Sequence, residues 1–150
     1  IPLSIASVKI PGFGALAVRG LNAFARAATL RATEKGLAPE VKRGLLFPYD
    51  AWSSRIATLR FVEDIPLHAR HPSYPTLVDI EAGLSGLRDR PMLLLWGDAD
   101  WCFGPPFRRE WQRRFPEAEV EVWPDVGHYV MEDAADRVIA RVRPFLEAAR

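Results

Sequence analysis

Cysteine and histidine are scarce in this chain, and neither sign of charge prevails. One cysteine, Cys102, among 150 residues excludes an intrachain disulfide framework and a cysteine-rich metal site. It fits a reducing compartment, so the expected location is cytoplasmic. The histidines are His68, His71 and His128; with no HExxH or CxxC spacing, neither a metal site nor any other cofactor is expected. No run of about 18 apolar residues offers a transmembrane segment, and the N-terminus shows no basic stretch leading to a small-residue cleavage site. The formal charge is only +1, with arginines spread along helices beside acids, which excludes a nucleic-acid footprint. Internal repeats and low-complexity tracts are also lacking.

What is present centres on Pro91 to Tyr129. Met92 to Trp96 is an uninterrupted apolar run closed by Gly97, the pattern of a strand buried on both faces of a parallel sheet. Glu119 to Trp123 alternates polar and apolar residues up to Pro124 and predicts a second strand. Between them Phe107, Trp111, Arg114 and Phe115 recur at helical spacing, giving a strand–helix–strand unit. Asp98 and Asp100 follow the first strand and His128 follows the second. Functional groups in open α/β sheets collect beyond the carboxyl ends of strands. An acid on one such loop and a histidine on the next form two members of a nucleophile–histidine–acid triad, in which the acid orients the imidazole. The nucleophile is missing.

The remaining text is helical. Ile1 to Gly14, punctuated by Pro2, Pro11, Gly12 and Gly14, predicts an irregular connection. Val18, Leu21, Phe24 or Ala25, and Ala28 mark an amphipathic helix over Ala15 to Arg31, with Gly36 placed to end it. A second helix starts around Pro39 and Glu40 and closes at Phe47-Pro48-Tyr49. Asp50 reads as the cap of a third, from Ala51 to about Phe61, stopped by Ile65-Pro66. A Pro/His-rich linker over Leu67 to Pro72 leads to a helix marked by Leu77, Ile80, Leu84 and Leu87. Val138, Val142, Phe145 and Leu146 give a last helix over Ala134 to Ala149, in which Pro144 should produce a kink.

Gly97-Asp98-Ala99-Asp100, Phe115-Pro116 and Gly127-His128-Tyr129 together resemble the acid and histidine loops of the α/β-hydrolase fold, within the haloalkane dehalogenase and epoxide hydrolase branch. The family pattern puts glycine and two residues before the acid, which maps the catalytic acid onto Asp100 rather than Asp98, and the catalytic histidine onto His128. Leu37-x-Pro39-Glu40, Pro48, Arg55 and Ile65-Pro66 resemble that branch's helical cap. The text from Val18 to Ala28, from Pro48 to Leu67, and at Trp101-Cys102-Phe103 is most similar to the β-lactone decarboxylases of long-chain olefin biosynthesis. The resemblance implies an aspartate nucleophile upstream of the cap, outside this chain. The fold expected is therefore α/β, a partial α/β-hydrolase: cap and connection over 1–70, then part of the core over 71–150 with its last two parallel strands. Ile1 opens in mid-hydrophobic text, and two strands are too few for a doubly wound domain, so the expectation is the C-terminal half of a longer hydrolase whose N-terminal half is its partner. Trp101 and Phe103, flanking the acid, and Trp52 and Phe61 in the cap are candidate substrate-binding residues for a small apolar, long-chain substrate. Haloalkane or epoxide hydrolysis stays open beside lactone chemistry, as does a non-catalytic cap and assembly fragment.

Overall fold

Backbone geometry divides the N-terminal helical text. Gly12 and Asn22, at φ 79° and 52°, bracket a short α-helical turn (α1, Phe13–Ala15) that continues as a π-helical turn over Leu16–Gly20. A second helix, α2, then runs over Ala23–Arg31. The single helix expected from Ala15 to Arg31 is thus two, because Asn22 takes the left-handed conformation and a continuous α-helix cannot pass through it. The structure, a computed structural model, describes residues 9, 10 and 12–148. Most of the connection expected over Ile1 to Gly14, and Ala149 at the end of the last helix, lie outside those residues; the helix already begins at Phe13.

Helix α3 covers Pro39–Leu46, with Pro39 at its first turn and Glu40 beside it, and closes through a 3-10 turn at Phe47–Tyr49 as expected. Helix α4 covers Ile56–Asp64. It starts five residues later than Ala51, and Asp50 does not cap it; Ser54 instead folds the Asp50–Ser54 stretch onto itself by accepting from Ala51 N and donating to Ala51 O. Arg55 organises this region, because its guanidinium donates to the carbonyls of Tyr49 and Arg19 at 2.8 Å and of Asp50 at 2.7 Å. Those are orphan carbonyls left where helical turns end. Lys9 does the same at the end of α4, donating to Glu63 O and Ile65 O. Helix α5 covers Tyr74–Gly83, followed by a 3-10 turn at Leu84–Leu87. Its Leu77 and Ile80 are exposed.

Strand β1 (Leu93–Gly97) pairs in parallel with β2 (Glu119–Trp123), from Leu93 opposite Glu119 to Gly97 opposite Trp123. Helix α6 (Pro105–Arg114) is the crossover between them. Among the described residues the sheet has these two strands. That corrects the expectation of full burial for the first: Leu93 to Trp96 are half-buried and only Gly97 is buried, and among the described residues β1 is paired along one edge. A short helix α7 (Val130–Asp133), absent from the sequence expectation, precedes α8 (Ala135–Ala148), which contains Pro144.

The chain forms two compact units, one from Ile1–Leu30 and Ala38–Gly83, the other from Arg31–Leu37 and Leu84–Arg150. In the first, Val18, Leu59 and Val62 are buried, where α4 packs on the π-helical turn. In the second, Trp123, Val126, Ala134 and Val138 form a core against which Leu95, Val130 and Val142 pack. Gly36, expected to end the first long helix, instead adopts φ 75° within the Arg31–Leu37 segment, past the last residue of α2. The partial α/β-hydrolase architecture inferred from sequence is the one observed: helices, then the last two parallel strands with their flanking helices.

Candidate active site

The carboxyl end of β1 is built on close backbone approach. A Cβ on Gly97 would lie 2.3 Å from the carbonyl oxygen of Val126 and 2.7 Å from that of Gly127, distances no side chain tolerates, so glycine alone lets the acid loop and the histidine loop meet. The loops are then laced together: Asp98 N donates to Trp123 O at 3.0 Å and Ala99 N to Val126 O at 3.1 Å.

Asp100 emerges from this turn. Its Oδ1 accepts from the backbone N–H of Cys102 at 2.7 Å and of Phe103 at 2.9 Å, an Asx-type turn that fixes the carboxylate plane. Its Oδ2 lies 2.9 Å from His128 Nδ1. A carboxylate accepts, so Nδ1 carries the proton and Nε2 keeps a lone pair for a reacting group. The acid side chain is 9% exposed and the imidazole 30%, leaving the pair shielded yet reachable. Burial, and then the Asp100 charge, push the Cys102 thiol up, away from the thiolate that is its reactive form.

Asp98 is tied to α6 instead: its carboxylate receives Arg108 through Nε at 3.0 Å and Nη2 at 3.2 Å. Trp101 and Phe103 flank the histidine, with ring centroids 6.2 and 5.5 Å from His128. Phe103, Asp100 and His128 line a recess of about 170 Å³ together with Leu95, Trp96 and Val130. The Trp101 indole donates to Arg31 O at 2.9 Å. Trp52 and Phe61 belong to the other compact unit, where both are exposed and the Arg19 guanidinium lies 4.3 Å over the Trp52 ring. His68 and His71 are an edge-on pair in the linker at 6.1 Å, and among the described residues no group of histidines, cysteines and acids could hold a metal ion.

Sequence reasoning missed Asp133. It is 4% exposed and accepts backbone N–H groups from Gly127 at 2.8 Å, Glu34 at 2.9 Å and Lys35 at 3.0 Å. Burial opposes its charged form, but those three bonds and the Lys35 charge outweigh it and hold the carboxyl below the usual range. No side-chain pattern marked it, since it stands among Glu132, Asp136 and Arg137 and its partners are backbone groups.

The alpha/beta hydrolase family model matches residues 3–141. Two curated relatives, each a cis-3-alkyl-4-alkyloxetan-2-one decarboxylase, one from Shewanella oneidensis and one from Xanthomonas campestris pv. campestris, are 34% identical over 147 residues, covering 97% and 98% of this chain. The chain spans about half their length, 46% and 49%. A haloalkane dehalogenase DbeA loop variant from Bradyrhizobium elkanii superposes with a TM-score of 0.86 at 22% identity, over 98% of this chain and 48% of its own. The haloalkane dehalogenase DatA from Agrobacterium tumefaciens gives 0.82 at 23%, over 99% and 51%. Strand pairing, loop-borne acid and histidine, and these likenesses agree: the chain belongs to the alpha/beta hydrolase family.

Proposed function

We propose that the full-length protein opens a long-chain cis-β-lactone and releases carbon dioxide and an olefin, with Asp100 and His128 as catalytic residues and an aspartate nucleophile in the part of the protein upstream of this chain. The observation that carries this reading is the 34% identity to the two oxetan-2-one decarboxylases, sustained over 147 residues and so through the cap text as well as the catalytic loops. Attack of the nucleophile's carboxylate on the ring carbon bearing the ring oxygen breaks that C–O bond and leaves a free carboxylate. Loss of carbon dioxide then supplies the electron pair that forms the double bond and expels the enzyme carboxylate. No water is consumed. Residues 1–70 are read as the cap and connection and 71–150 as part of the core, with the first half of the hydrolase as the partner that completes it.

The recess beside His128, about 170 Å³, is smaller than the roughly 300 Å³ at which ligand pockets begin. It suits the reacting ring rather than whole alkyl chains. Trp101 and Phe103 are proposed to wall that ring, and Trp52 and Phe61 to contact the alkyl chains. The compartment favoured by the single cysteine is the cytoplasm.

Haloalkane or epoxide hydrolysis is the second reading, supported by the likeness of fold to the dehalogenases. It uses the same acid and histidine differently, since an ester intermediate must then be cleaved by water that His128 activates. The test offers the full-length protein a long-chain cis-β-lactone, a long-chain haloalkane and an epoxide. Olefin and carbon dioxide from the first, without halide or diol from the others, is the expected result. Halide release without lactone turnover would replace decarboxylation by dehalogenation.

A further inference from the structure

The histidine loop is held from behind. Gly127 N donates to Asp133 Oδ2 at 2.8 Å, and Tyr129 N donates to Ala32 O at 2.7 Å, so the residues on both sides of His128 are fixed by hydrogen bonds. Both bonds lead to one short segment, because the same Asp133 carboxylate accepts from Glu34 N and Lys35 N, and Lys35 Nζ donates to Asp133 O at 2.6 Å. The acid loop reaches that segment too, through the Trp101 indole on Arg31 O and the Arg31 guanidinium 5.5 Å from the Trp101 ring. Gly127 packs against it so closely that an added Cβ would lie 3.0 Å from Ala32 O and 3.3 Å from Asp133 Oδ2.

We infer that Asp133 is a positioning residue for His128: its carboxylate joins Gly127 to the Glu34–Lys35 backbone and thereby fixes the imidazole at hydrogen-bond distance from Asp100. The inference rests on the reading of His128 and Asp100 as the catalytic pair. A neutral carboxamide of the same shape cannot replace the carboxylate. Three N–H groups converge on its two oxygens, so an amide NH₂ in either place would confront a donor with a donor, leaving an N–H unpaired in a buried site. The loop must then shift, and an ångström of misplacement in a reacting group costs about 100-fold in rate. A residue serving stability alone would lower the melting temperature and leave the His128–Asp100 bond as it was.

The experiment uses the full-length protein and two substitutions, Asp133→Asn and Asp133→Ser. The second removes the carboxylate and leaves a short hydroxyl that cannot serve the N–H groups of Gly127, Glu34 and Lys35 together, while setting no NH₂ against them. The direct readout is the low-field proton resonance of His128 Nδ1–H, assigned by its disappearance in His128→Gln; kcat and KM on the lactone and the melting temperature accompany it. Asp133→Asn is expected to abolish or broaden that resonance and to lower kcat by about 10- to 100-fold with KM changed less than about threefold. Asp133→Ser should broaden the same resonance and lower kcat by about 10-fold. A folded Asp133→Asn protein with the resonance unmoved and kcat unchanged overturns the inference. Should that variant fail to fold, Asp133→Ser decides: a folded protein with a broadened resonance and a lowered kcat supports the assignment, and a resonance and kcat matching the parent refute it. If the parent turns over no lactone, the proposed function falls, while the resonance still decides the role of Asp133.

Discussion

Two aspartates stand two residues apart after β1, and they have opposite work. Asp100 uses one oxygen for its own turn and gives the other to His128, whereas Asp98 gives both to the Arg108 guanidinium. Substituting Asp100→Asn in the full-length protein should therefore cost up to about four orders of magnitude in turnover, the loss seen when a triad loses its imidazole orienter. Asp98→Asn should cost far less, because it weakens a loop-to-helix tie and touches no reacting atom. Steady-state rates on the lactone check this, and greater sensitivity at Asp98 would reverse the two roles. Asp133 yields a second prediction through acid stability. Its folded-state pKa is depressed, so its contribution is fully present above the unfolded value of about 3.9 and is lost as pH falls through the lower folded value. Denaturant unfolding between pH 3 and 6 should show Asp133→Asn losing stability less steeply with acid, by up to about one proton taken up on unfolding. Identical slopes would mean that Asp133 is not held charged. Asp100 and His128 were legible in the sequence because each follows a strand at a glycine-marked turn. Asp133 was not, because its partners are backbone groups, which side-chain patterns do not record.

Element type was legible wherever the apolar period was clean. The strand–helix–strand unit came out with β2 bounded as expected at Glu119 and Trp123, since alternation and a following proline define a strand from within. The first predicted helix did not, because its apolar period continues across Asn22 while the backbone there turns left-handed at φ 52°. Asn22 is 5% exposed and its Nδ2 donates to Tyr49 O at 2.9 Å, so the break is tied to the end of the α3 region rather than frayed. An alanine here loses both the hydrogen bond and a residue tolerant of that conformation, and should destabilise the chain by about 2 kcal/mol. Glycine, which accepts the conformation freely, should recover part of that loss. Urea melts of Asn22→Ala and Asn22→Gly provide the comparison. Equal stability of the two would show that the hydrogen bond, not the backbone conformation, sets the element boundary. The late start of α4 has a similar origin: Arg55 is drawn to carbonyls of Arg19, Tyr49 and Asp50, and the preceding turn is shaped by that demand.

At the scale of the molecule, a two-stranded parallel sheet is a marginal structure on its own, and β1 has one edge unpaired by any strand among the described residues. Leu16, Phe47, Phe61 and Ile139 are among the large apolar side chains left exposed. Expressed alone, this stretch of 150 residues should associate into oligomers or aggregates and should not turn over the lactone. Supplying the remaining part of the protein should restore a defined species, as size-exclusion chromatography and activity would show. A monodisperse, active product from this stretch by itself would refute the expectation. The two compact units also alternate along the chain: Arg31–Leu37 falls between Leu30 and Ala38 of one unit yet belongs with the other. Replacing the stretch from the first helix to Gly83 as one piece would therefore also replace Glu34 and Lys35, whose backbone N–H groups are two of the three that hold the buried Asp133 carboxylate behind the histidine loop. A graft that preserves catalysis therefore has to be made as two inserts, before and after those seven residues, with the recipient's own connecting peptide retained between them.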